Sequence, residues 1–199
     1  MLQADCDIAA TKDFERNFDS TYIGEHKTPL ANTFRVMHLD FSGIDADIFT
    51  ESFVANDRDG PLDFSLRNNF KEGTDLLQGH YRSLSLLLTD FLFVYKQYFT
   101  DSIYLAVDEY DQGADEVLAM NIESFRDLTR SGGILKTFYS KIKDFAAKST
   151  IARIFITGVT TIQLDSMVSG LSIAKNFTAN AQFTTCLLYT SPSPRDAHE

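Results

Sequence analysis

Hydrophobic and polar positions along this chain alternate between two kinds of run. Phe34 to Ser42, FRVMHLDFS, is rich in aromatic and β-branched residues and closes on Asp40, Ser42 and Gly43, which predicts a strand followed by a turn. Ile103 to Val107 predicts a second strand, and Arg153 to Val159, RIFITGV, a third that again ends on polar and glycine residues. None of the three alternates cleanly between apolar and polar, as expected of strands covered on both faces in a parallel sheet. Between them the apolar spacing becomes helical. Leu84, Leu87, Leu88, Phe91, Tyr95 and Tyr98 share one face, and so do Ile134, Phe138, Ile142 and Phe145. Strands alternating with helices predict an α/β architecture. The polar stretch Asn56 to Asp63, with Gly60-Pro61 inside it, reads as a turn between helices. The chain shows no internal repeat and no second domain boundary.

Composition narrows what this architecture can serve. A chain of 199 residues that is 44% hydrophobic and 13% aromatic can bury one core and is expected to form a single domain. A formal net charge of -10 argues against a broad nucleic-acid-binding surface, which calls for clustered Lys and Arg, although local basic patches stay open. The N-terminal stretch MLQADCDIAATKDFERNF carries acids and lacks the apolar core of a signal peptide. The richest apolar stretch, Leu84 to Tyr98, is broken by Asp90 and Lys96 and falls short of the roughly 20 residues that span a bilayer. The expected location is therefore cytoplasmic, with no membrane partner. Cys6 and Cys186 give neither a disulfide framework nor a zinc cluster. His26, His38, His80 and His198 show no metal-ligand spacing.

Chemistry in an open parallel sheet gathers at the carboxyl ends of the strands, and all three runs place polar residues there. The most pointed case is SIYLAVDEYDQG, Ser102 to Gly113, where a buried run ends in Asp108 and Glu109, with Asp111 close behind. A hydrophobic strand ending in Asp-Glu is the Walker B arrangement. The first acid holds the magnesium shell of a nucleotide, and the second orients or deprotonates the attacking water. Thr157, at the end of the next strand, would sit beside them and could sense a γ-phosphate or position water. The same pattern also describes strands that merely reach solvent, and Asp40 is read that way, as a strand terminator. The other half of a nucleotide site, the phosphate loop G-x-x-x-x-G-K-S/T, is not in the sequence. Its nearest approach, SGGILKT from Ser131 to Thr137, lacks the Gly-Lys pair and reads as a turn starting a helix. A calcium loop at Ala55 to Gly60 is excluded by Ala55 at the first ligand position and Leu66 at the bidentate one. Asn176-Phe177-Thr178 matches a glycosylation sequon, which has no meaning without secretion. No G-x-S-x-G, H-E-x-x-H or C-x-x-C string supports a nucleophile or a further metal site.

The strings TYIGEHKTPLANTF, HLDFSGID, YLAVDEYDQGADEVL, GGILKTFYSKIKD and RIFITGVTTIQLDSMVSG follow one another in register from about Asp7 to Phe183. Together they resemble the AAA-ATPase-like family, whose members usually carry a PD-(D/E)XK nuclease-like domain at the C-terminus. The resemblance implies a P-loop NTPase sheet of the additional-strand type with flanking helices. It also implies Asp108 and Glu109 as Walker B, Asp108 being the metal-holding residue, and Thr157 as the sensor position. ATP and Mg2+ would be cofactors of the parent protein, and a nucleic acid could be handled through the nuclease-like domain. Asp111 and Leu164-Asp165-Ser166 match family positions without a derived role. Family members open with a strand and a G-K-S/T loop ahead of the TYIG stretch. Residues 1–185 are therefore expected to be a partial AAA-ATPase-like domain that lacks the first strand and phosphate loop. After DEYD the family shows aromatic or histidine residues and an Asn, where this chain has Gln112, Gly113, Ala114 and Asp115. Cys186 to Asp196, CLLYTSPSPRD, resembles the translation of a sequencing-library transposon end and adapter, so residues 186–199 are expected to be an adapter-derived, disordered tail.

Three functional expectations follow. The first is a fragment of an ATP-binding and hydrolysing AAA-like ATPase, inactive alone and binding neither nucleotide nor metal tightly. The second is a degenerate ATPase fold serving as an interaction module. The third is a metal-dependent hydrolase built on the acid cluster.

Overall fold

Each of the three apolar runs forms a strand. These are β1 (Arg35–Asp40), β2 (Ile103–Asp108) and β3 (Ile151–Ile156). The computed structural model describes residues 5–42, 84–159, 175 and 177, and in it the strands make a parallel sheet in the order β1-β2-β3. β1 pairs with β2 from Arg35 opposite Ile103 to Asp40 opposite Asp108. β2 pairs with β3 from Ile103 opposite Ile151 to Val107 opposite Ile156, with one irregularity between Ile103 and Tyr104. β3 thus opens at Ile151 rather than Arg153, and Thr157, Gly158 and Val159 lie beyond its end.

The helices among the described residues are α1 (Thr11–Phe18), α2 (Tyr22–Glu25), α3 (Leu84–Tyr98), α4 (Gln112–Met120), α5 (Ile122–Thr129) and α6 (Ile134–Ala147). Several starts are fixed by local side chains. Thr21 accepts a hydrogen bond from the Gly24 amide and caps α2. Asn121 accepts from the Glu123 amide at 2.8 Å and from Ser124, which starts α5 directly behind α4. SGGILKT forms the turn into α6, with Gly132 at φ 84°, where only glycine sits without strain. The segment ahead of α1 adds itself to the free edge of β1. Phe34 donates to the Cys6 carbonyl at 3.1 Å, and the Ile8 amide returns a bond to the Phe34 carbonyl at 2.7 Å.

Side chains alternate along a strand, so parallel register sorts them into two faces. Met37, Leu39, Leu105 and Val107 point to the same side as Ile154 and Ile156. There they meet Leu88, Phe91, Leu92 and Tyr95 of α3 and Phe138, Ile142 and Phe145 of α6. On the other face Val36 and Tyr104 pack with Cys6, Phe34 and Ala152. Further toward the strand ends His38, Asp40, Asp108, Arg153 and Phe155 are exposed.

Two expectations are corrected here. β1 and β3 are not covered on both faces: exposed His38 and Asp40 flank buried Leu39 on β1, β3 alternates between half-buried and exposed from Ala152 onward, and Phe155 is 43% exposed. Tyr98 does not join the inner face of α3 and is 63% exposed. Tyr95 is the last inward aromatic, and its hydroxyl donates to the Asp101 carbonyl at 2.9 Å. The polar turn at Asn56 to Asp63, Leu164-Asp165-Ser166 and the tail from Cys186 lie outside the described residues. Among the described residues no helix is long and apolar enough to cross a membrane.

Candidate functional site

The three strands end in one polar row. Asp40 stands opposite Asp108, and the pairing that follows Val107 with Ile156 brings Thr157 beside Asp108. The Thr157 hydroxyl donates to Asp108 Oδ1. The same oxygen accepts from the Glu109 amide at 3.1 Å, so both bonds land on Oδ1. Backbone pairing carries on past the strand ends and ties the turns together. Phe41 donates to the Asp108 carbonyl at 3.0 Å, Thr157 to the Val107 carbonyl at 2.9 Å, and Tyr110 to the Thr157 carbonyl at 3.1 Å.

Glu109 is where the chain changes direction. Its φ is 49°, a left-handed conformation that costs a non-glycine residue roughly 1–2 kcal/mol. The Gln112 amide then donates to the Glu109 carbonyl at 3.1 Å, and Asp115 to the Asp111 carbonyl at 2.8 Å, which opens α4. The turn keeps Asp108 exposed and Glu109 half-buried, and drives Tyr110 and Asp111 inward. Asp111 is only 1% exposed. Burial pushes the Tyr110 phenol up, and the Asp111 charge adds to it. Behind them, on α6, the Tyr139 hydroxyl is buried without a hydrogen-bond partner among the described residues. Burial pushes this phenol up as well, with Tyr110 and then Asp111 contributing.

Asp40 keeps to its own turn. Its carboxyl is held below the usual carboxylate range by hydrogen bonds from the Ser42 hydroxyl and backbone, with the nearby His38 charge helping. The Ser42 amide lies 2.9 Å from Oδ1. This is the strand-closing role its sequence position suggests.

Sequence reasoning therefore names three residues that the fold brings together at one rim: Asp108 and Thr157 in direct contact, and Glu109 next in the chain. Asp111 was legible as a matching position without a role. Gly158 and Tyr139 were missed. The Thr-Gly pair after β3 was the available signal for Gly158, whereas nothing in the spacing of α6 separates Tyr139 from an ordinary core residue. Among the described residues no group of three or more His, Cys, Asp and Glu side chains could by itself hold a metal ion.

A search of curated proteins and a search of solved structures each return no significant match. The family model described as "Predicted AAA-ATPase" matches residues 1–168, most of the chain and the whole of the sheet and its polar row, and the chain accordingly belongs to the AAA-ATPase-like family.

Proposed function

We propose that the polar row is the magnesium- and water-handling end of an ATP site, with Asp108 and Glu109 as the Walker B pair and Thr157 as the sensor. The observation that carries this reading is the hydrogen-bonded Asp108–Thr157 pair at the carboxyl ends of adjacent parallel strands. An acid tip on the middle strand, with sheet order β1-β2-β3, is compatible with part of a P-loop NTPase sheet.

The donor set suits Mg2+. This ion prefers one or two carboxylates together with water and substrate phosphates over an all-protein cage. Asp108 offers one exposed carboxylate, and both of its bonds among the described residues fall on Oδ1, which leaves Oδ2 to hold a hydrated ion. When bound, Mg2+ would neutralise charge on the phosphates. Glu109, half-buried at the rim, orients the attacking water or accepts its proton. The Thr157 hydroxyl, anchored on Asp108, positions water or reads the γ-phosphate. Because no G-x-x-x-x-G-K-S/T string stands in these 199 residues, the chain alone should bind ATP weakly. A hydrolase working on metal without ATP would need a preformed ligand cluster, and none stands among the described residues.

The test joins the chain to the strand and G-K-S/T loop of a family member and measures ATP turnover and nucleotide binding. Glu109→Gln should lower turnover by about a hundredfold or more while nucleotide still binds. An equally active Glu109→Gln protein would refute the role given to Glu109.

A further inference from the structure

Gly158 directly follows the sensor position, and its missing side chain is filled by neighbours. A β-carbon placed there would run into the Tyr110 ring and come within 2.5 Å of Asp111 Oδ1. Neither neighbour is a loose end: Tyr110 is 5% exposed and Asp111 1%. Asp111 occupies the residue before α4, where an aspartate ordinarily accepts hydrogen bonds from the first turn. It makes no such side-chain bond. Its carboxylate is turned instead to the end of β3. The Tyr110 amide is meanwhile bound to the Thr157 carbonyl at 3.1 Å. The acid turn and the sensor turn therefore close on each other over a bare Cα. Within the acid turn Glu109 holds a left-handed conformation, which persists only where the surroundings over-determine it.

We propose that Asp111 and Gly158 are positioning residues that latch the turn after β2 onto the turn after β3, and so hold Glu109 and the Asp108–Thr157 pair in place. The latch takes its functional meaning from the ATP-site reading above. Neither residue touches substrate in this account. Asp111 acts through Glu109, and Gly158 acts through the space it leaves.

The experiment uses NMR and amide hydrogen exchange on the full 199-residue chain, without nucleotide. In Gly158→Ala the Tyr110 amide should exchange about tenfold faster or more, while Leu105 and Ile142 keep their protection. Glu109 should lose the one-bond Cα–Hα coupling that reports a positive φ. Asp111→Ala should give the same signature, and Asp111→Asn, which keeps the shape, should largely restore it. If Gly158→Ala does not fold, the comparison of Asp111→Ala with Asp111→Asn decides. Should Asp111 serve only to start α4, Asp111→Ala would speed exchange in the first turn of that helix and leave Tyr110 and Glu109 unmoved, which overturns the latch. An unmoved Glu109 in a folded Gly158→Ala chain overturns it too. None of these readouts involves ATP, so a failed hydrolysis assay would count against the ATP reading and leave the latch standing.

Discussion

Phe138 and Phe155 sit on opposite sides of the same three strands. Phe138, on α6, is 1% exposed and packs with Phe41 and Tyr139 beneath the face that α3 and α6 cover. Phe155, on β3, is exposed on the face that carries Asp40 and Asp108. The contrast separates two tasks. The covered face supplies the burial that fixes register, and register aligns the strand ends. The other face and its rim present the polar groups that register has aligned. Chemistry at the rim is thus a by-product of packing on the far side.

Substitutions can break this division or sharpen it. The largest effect is expected from Phe138→Ala, which should cost about 3–5 kcal/mol in a urea unfolding curve and, by loosening α6, disturb the rim as well. A loss below about 1 kcal/mol would mean that α6 is not the main cover of the sheet. Next comes Glu109→Gly, which relieves the left-handed turn. It should stabilise the fold by up to about 1 kcal/mol while removing the carboxylate that the proposed ATP site assigns to water handling. Phe155→Ala should cost no more than about 1 kcal/mol, since the ring is already 43% exposed. A cost near that of Phe138→Ala would show both faces to be covered in solution.

The smallest effect concerns pH. The Asp40 carboxyl is held below its ordinary value of 3.8, so its contribution is complete above that pH and is lost as the pH falls through the depressed folded value. The group is exposed, so the contribution is slight. Asp40→Asn should be marginally less stable than the parent near neutral pH, and the difference should fade as the pH falls through the depressed folded value. A difference that persists in acid would point to lost packing instead of lost charge.

Legibility in the sequence followed the same division. The strands, α3 and α6 could be read because unbroken apolar runs and helical spacing extend over many residues. α4 and α5 could not. They are short, and α4 begins as QGAD right behind the acid tip, with Ala114 and Val117 as buried anchors. Phe155 misled, because an outward phenylalanine between Ile154 and Ile156 looks like one more core residue. Asp108, Glu109 and Thr157 were legible as polar residues closing apolar strands. The Asp111 contact with Gly158 was not, since it exists only after β2 has paired with β3 and Glu109 has reversed the chain.

The central position of β2 has a consequence for how the chain comes to be folded. Its neighbours are drawn from Arg35–Asp40 on one side and Ile151–Ile156 on the other, and both pairings are parallel. Every pairing must wait for a distant partner, which makes assembly slow compared with a fold built from local contacts. During synthesis β1 and β2 can meet before β3 has left the ribosome. Until it arrives, β2 presents an open edge, the kind of surface through which partly folded chains aggregate.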